Sequence, residues 1–295
     1  MDSLRRGYGF LKQSWQMVLA DRDLIKPSIF ALLVGLVITL LGSLPLILVV
    51  VVFGDQGFGQ LIGFILGAVL IFLQYSISYL FSAMTVYLIY GYLAEGDGRM
   101  DKAWGIVKRD FLDILSLAGA STVVNLLKSL VRGKGRNQGR NLLSGLIDTI
   151  WTEATYLVLP AMVIEDIGLK DGLKRATQII KNNLLLVGVS TVGVKAITGL
   201  IGFLLGGTGI ALGAGIGLGL ISLTSGATLG LVAGISLGVI IAGAFIMVAV
   251  IITSYTVTAY HTCLYLWARD VEKASQSGQL IQSVKAPAPL AAVLG

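Results

Sequence analysis

Apolar positions fall along this chain in two patterns, and the two alternate. The first is an amphipathic strip at helical spacing. Over 3–24, Leu4, Tyr8, Leu11, Trp15 and Val18 recur at steps of four and three, with Arg5, Arg6, Lys12 and Gln16 elsewhere round the helix. A similar strip over 101–114 sets Trp104, Val107, Phe111 and Ile114 against Lys102, Arg109 and Asp113. A third over 169–181 sets Leu169, Leu173, Ala176 and Ile180 against Lys170, Lys174 and Lys181. These patterns predict helices lying in a membrane interface.

The second pattern is the long apolar run, and such runs follow each strip. They predict spans at 27–53 and 59–94, at 111–131 and 142–164, and at 184–205 with a long one inside 228–266. A hydrocarbon core of ~30 Å needs ~20 residues of helix. The runs lack the two-residue alternation of a barrel strand, so their backbone must be satisfied as helix. The predicted class is all-α: a polytopic membrane helix bundle of about six transmembrane helices in three hairpins, each preceded by an interfacial amphipathic helix. The segments Leu115-Ser-Leu-Ala-Gly-Ala-Ser-Thr122 and Leu184-Leu-Leu-Val-Gly-Val-Ser-Thr191 agree at Leu, Leu, Gly, Ser and Thr, as a repeated unit would. Residues 1–273 then form a single transmembrane domain and 274–295, with Pro287 and Pro289 among small residues, a flexible C-terminal tail.

Two stretches fit this scheme poorly. Between Lys195 and Arg269 there is no charged residue, and the apolar, Gly-rich element 206–226 is expected as an extra short span, a re-entrant segment or an extramembrane piece. The loop 132–140 is basic although six crossings put it outside, so the middle hairpin either breaks the positive-inside rule or only dips into the membrane. Ser121, Asn125, Lys128 and Arg132 share one face there.

Composition sharpens the class. Of 295 residues 55% are hydrophobic and 13% charged, too few charges to cover a water-facing surface, and the mean hydropathy is +0.86. The net charge of +6 sits in short blocks between apolar runs, the arrangement of loops beside anionic lipid rather than of a nucleic-acid surface. It predicts a cell (inner or plasma) membrane location with both termini cytoplasmic. The first apolar run starts after Lys26 and is too long for a removable signal peptide.

Candidate chemistry is sparse. One cysteine, Cys263, and one histidine, His261, leave no metal cluster, and no acid is placed in sequence to orient the histidine, so no catalytic, metal or cofactor-binding residue is assigned and the chain is expected not to be an enzyme. Asp148, Glu153 and Lys195 lie inside apolar runs, where a charge needs a partner or a water-filled pocket. Counted along their helices, Glu153 is about 18 Å from Glu165 and Lys195 about 21 Å from Lys181, so both are expected near the membrane midplane on consecutive antiparallel spans, as a candidate intramembrane charge pair; Asp148, nearer the outer end, is set to answer Lys128 or Arg132. Gly209, Gly213 and Gly217, then Gly226, Gly230, Gly234 and Gly238, recur every four residues and form smooth strips for close helix packing, within one chain or between copies.

The run Tyr156-Leu-Val-Leu-Pro160-Ala-Met-Val-Ile-Glu165-Asp-Ile-Gly168 followed by Lys174-Arg175-Ala-Thr, with Gly9-Phe-Leu-Lys-Gln-Ser-Trp15 and Asp21 near the start, resembles an uncharacterised family of bacterial multi-pass membrane proteins. The resemblance covers most of the chain to about Val194, departs after Gly206, and implies six-helix architecture with no activity to transfer. The leading functional expectation is a non-enzymatic membrane protein forming a glycine-packed homo-oligomer, a scaffold or pore in the lipid bilayer. Two alternatives stay open: a secondary transporter or permease using Glu153 and Lys195, and an accessory subunit bound to other membrane subunits.

Overall fold

The computed structural model describes the backbone of residues 2–53, 57–132, 138–182, 184–224, 227–279 and 284–294, and the side chains in these ranges outside 2–4, 130–132, 138–144, 146, 148–149, 182, 184–193 and 292–294. Helix dominates and no strand occurs among these residues. The helices are α1 (Asp2–Ala20), α2 (Lys26–Phe53), α3 (Gly57–Glu95), α4 (Met100–Arg109), α5 (Phe111–Arg132), α6 (Gln138–Glu165), α7 (Leu169–Asn182), α8 (Leu184–Leu223), α9 (Thr228–Gln276) and α10 (Ala288–Leu294). Helix α2 packs on α3, α5 on α6 and α8 on α9, with α1, α4 and α7 each leading into one of these pairs. Five described segments are long and apolar enough to cross a membrane: Arg22–Phe53, Gly57–Glu95, Phe111–Ser129, Val194–Leu223 and Thr228–Gln276. The sixth expected span falls in α6, which carries Asp148 and Glu153.

One corner fixes how the first pair leaves α1. Asp21 caps the 3-10 turn Arg22–Ile25 by accepting the Asp23 N–H at 2.9 Å, while its other oxygen accepts the Gly98 N–H at 2.6 Å. A Cβ on Gly98 would come within 2.8 Å of that oxygen, so the loop between α3 and α4 needs glycine to reach the carboxylate.

The core sits at one end of the bundle. Phe10, Leu24, Leu88, Ile89, Ile114, Leu117, Leu157, Tyr255, Tyr260, Leu264 and Tyr265 are fully buried there, joining α1 and the ends of α3, α6 and α9 to the start of α5. The opposite end is two bare hairpins: Leu41, Val51 and Phe58 of α2 and α3 and Leu223 and Leu229 of α8 and α9 are all more than half exposed. Side chains of this kind, uncovered by protein, require an apolar surround.

Three expectations change. The Gly-rich element 206–226 is not separate: α8 runs unbroken to Leu223, 40 residues or about 60 Å, because Gly209, Gly213 and Gly217 lie against α9 and gain contact there that offsets glycine's weak helix propensity. The buried arc of α1 is Gly7, Phe10, Ser14, Met17 and Val18, rotated from the expected strip, since Phe10 finds the ring of Tyr260 at 5.4 Å whereas Tyr8 is 59% exposed. The tail is not wholly free: α10 packs against α1 with Pro289 and Leu290 buried, Leu290 completely. The basic loop over 133–137 and Gly226 lie outside the described residues, as does the side chain of Asp148.

Candidate functional site: a hydroxyl-lined cavity beside a buried histidine

Helices α3, α5, α6 and α9 enclose a cavity of about 180 Å³. Its wall carries Tyr75, Ser78, Tyr79 and Ser82 from α3, Ser121, Asn125 and Lys128 from α5, Trp151, Thr152, Thr155 and Tyr156 from α6, and Ser254 and Thr258 from α9. Part of this polar lining is knitted together: Ser121 Oγ lies 2.8 Å from the Tyr79 hydroxyl and accepts from Trp151 Nε1 at 3.0 Å, and Asn125 donates to the Tyr75 hydroxyl at 3.2 Å. The rings of Tyr75 and Tyr79, one helical turn apart, stack at 5.8 Å. The remaining hydroxyls and aromatic faces suit a small neutral polar molecule or water.

Tyr156 separates this cavity from a titratable cluster. Its ring stacks on His261 at 4.5 Å, and His261 is only 2% exposed. Nδ1 of His261 lies 2.8 Å from the Val257 carbonyl, which can only accept, so that nitrogen carries a proton. Nε2 then faces Glu153 Oε2 at 3.4 Å, a contact that is a hydrogen bond when one proton lies between them, on the imidazole or on the carboxyl. The other carboxylate oxygen of Glu153 pairs with the ammonium of Lys195. The pair expected from sequence is thus in contact in the structure, with a third member that a reading of His261 as a lone histidine missed. The available signal was that His261 lies in the same charge-free run that made Lys195 conspicuous.

Depth reads differently along the two helices that meet here. Tyr265 donates to Glu165 at 2.6 Å, and His261 meets Glu153. These two contacts are separated by twelve residues of α6, about 18 Å, and by four of α9, about 6 Å, so α6 crosses α9 obliquely. Along α9 the cluster is one turn from the Glu165 contact beside α7. That contact belongs to a second network: Arg175 of α7 bonds Glu165 through Nε at 3.2 Å and Glu272 through a terminal nitrogen at 2.5 Å. Burial disfavours the charge on Arg175, but its bond to Glu272 and the nearby Glu165 carboxylate outweigh this and raise its pKa.

The glycine strip is also placed. A Cβ on Gly213 would sit 2.4 Å from the Gly238 carbonyl, one on Gly217 2.7 Å from that of Gly234, and one on Gly230 1.7 Å from the Thr224 hydroxyl. Gly230, Gly234 and Gly238 therefore face α8 and the turn of the same chain. A different row, Gly207, Ala211, Gly215 and Gly219, lies on the outside of α8, where Cβ atoms on its three glycines would meet nothing within 4 Å.

Compared with known proteins, the chain matches no family model and no curated sequence.

Proposed function

We propose that this is a non-enzymatic permease or secondary transporter for a small polar solute, built on a multi-pass bundle in the cell membrane. The observation that carries this reading is the cavity: an apolar chain gathers hydroxyls, an amide and aromatic faces from four helices around open space, and the bonds among Ser121, Tyr79, Trp151, Asn125 and Tyr75 leave further hydroxyls facing a polar occupant. Glu153, His261 and Lys195 stand behind Tyr156 as the titratable group that would couple occupancy to protons. Six crossings in three hairpins, with both termini and the segments 99–109 and 165–181 cytoplasmic, remain our topology, because those segments hold the clustered Lys and Arg. The oblique α6 then sets the cluster nearer the cytoplasmic face than the midplane.

Stopped-flow swelling of proteoliposomes with small polyols and neutral amino acids tests the reading. Ser121→Leu should fill the cavity and abolish the protein-dependent flux, whereas Glu153→Gln should leave binding and remove any dependence on a pH gradient. Flux through Ser121→Leu equal to the unmodified protein overturns it.

A second reading, the homo-oligomer, draws support from the open row Gly207, Ala211, Gly215 and Gly219, which leaves α8 smooth on the side away from α9. The subunit of a larger membrane complex has no comparable feature in its favour.

A further inference from the structure

We propose that the groove where α6 and α9 end against the middle of α7 is an anion site for a phosphate group, as borne by an anionic lipid. The groove has a volume of about 310 Å³ and is lined by Glu165, Arg175, Arg269, Glu272, Lys273 and Gln276. The last four follow α9 at offsets of three, four and seven and so share one face.

The acids in this groove are already engaged. Glu165 accepts from Tyr265 and Arg175, and Glu272 pairs with the far end of the same guanidinium. The donors are not all engaged. Arg269 is 17% exposed, yet its Nε is buried with no hydrogen-bond partner; the closest acid is its neighbour Asp270 at 3.6 Å, and the guanidinium lies over the ring of Tyr90 at 5.9 Å. Lys273 and Gln276 point no side-chain bond at any described residue. Within the groove three cations stand against two carboxylates, Asp270 outside its lining being a third acid too far from Arg269 Nε to accept a hydrogen bond, and every unspent polar group among Arg269, Lys273 and Gln276 has an N–H to give. A buried guanidinium N–H without an acceptor is costly, and phosphate oxygens are the acceptors that match its planar fork. The groove adjoins the amphipathic α7 and opens at the end of α9, so the phosphate of a lipid headgroup can reach it.

The test titrates the full chain in neutral detergent micelles with short-chain phosphatidylglycerol, followed by tryptophan fluorescence and native mass spectrometry. The unmodified protein should bind it about tenfold more tightly than the Arg269→Gln, Lys273→Gln variant. A charge-matched Lys170→Gln, Lys174→Gln variant should bind as the unmodified protein does, and phosphatidylcholine should bind to none of them. Competition by millimolar inorganic phosphate assigns the site to a free anion, and failure to compete assigns it to the headgroup; both uphold phosphate recognition. Should the double variant fold poorly, the exposed Lys273→Gln alone must still weaken binding. Unchanged affinity in the groove variants, or an equal loss in the Lys170, Lys174 variant, overturns the proposal. The outcome is independent of solute flux through the cavity.

Discussion

The two halves of α9 are parts of one helix made for two different surroundings. From Leu229 to about Val250 the side chains are mostly aliphatic and exposed, and the tight contacts with α8 and its turn are made at glycines: Gly213 and Gly217 against Gly238 and Gly234, Gly209 against Phe245, and Gly230 against Thr224. From Tyr255 to Leu266 every residue is buried, and the set is Tyr, Thr, His and Cys as much as Leu and Val. In the first half association with α8 cannot come from hiding apolar surface, because the alternative neighbour is equally apolar; it comes from close backbone approach. In the second half, rings and hydroxyls packed by α1, α3 and α6 give the ordinary stabilisation of a core. Polar function can be housed only in the second half, and the cavity and the Glu153 cluster are both found there.

That contrast is broken most severely by bulk at the backbone contact. Gly213→Leu with Gly217→Leu drives two side chains into the α9 carbonyls at Gly238 and Gly234, and overpacking at ~1–3 kcal/mol per site should abolish recovery of folded protein from detergent extracts. Gly215→Leu with Gly219→Leu adds the same volume on the open side and should leave recovery and melting unchanged. Light scattering on this second variant also decides the oligomer: a smaller particle than the unmodified protein's means that copies meet on that row, and an unchanged one means that it faces lipid.

A somewhat smaller effect separates the halves by core truncation. Phe10→Ala removes the ring packed edge-on against Tyr260 and should cost ~3–5 kcal/mol in detergent unfolding, while Leu229→Ala, 85% exposed, should stay within ~0.5 kcal/mol. Comparable losses at the two sites would mean that the outer hairpin is covered by protein after all.

How much of this could be read from sequence follows the same division. The bounds of the long helices were legible to within a few residues at most ends, because in the membrane half composition alone decides: Pro27, Phe53, Phe111 and Leu184 each stand at or beside a helix end. The element 206–226 is set apart in the sequence because the charge-free stretch between Lys195 and Arg269 is too long for one helix and a half, whereas the glycine contacts with α9 that let α8 run on to Leu223 are tertiary. The rotation of α1 was hidden by its having two apolar arcs, between which only the position of Tyr260 chooses. Of the cavity only the α5 wall, the shared face of Ser121, Asn125 and Lys128, stands out in the sequence; Tyr75, Thr155 and Thr258 are scattered over three other helices, each an unremarkable hydroxyl in its own run. The Glu153 and Lys195 pairing was legible since charges in apolar runs are few, but their third partner required knowing that α6 crosses α9 obliquely.

The smallest effect, and the one that bears on the polar half alone, concerns the sharing of Glu153 between Lys195 and His261. A buried carboxylate stripped of every partner costs ~3–5 kcal/mol, but Lys195→Met leaves Glu153 facing the His261 ring at 3.4 Å. With the Lys195 side chain 43% exposed, the single change should therefore cost only about 1 kcal/mol in detergent unfolding at neutral pH. In a His261→Phe background the same change leaves the carboxylate alone and should cost clearly more, with a coupling of ~0.5–3 kcal/mol between the two sites. Adding Glu153→Gln should abolish that coupling, because the charge both partners serve is gone. Equal costs for Lys195→Met with and without the imidazole would mean that His261 is held by Val257 and Tyr156 only, and the proton-coupled form of the permease reading would then lose its histidine.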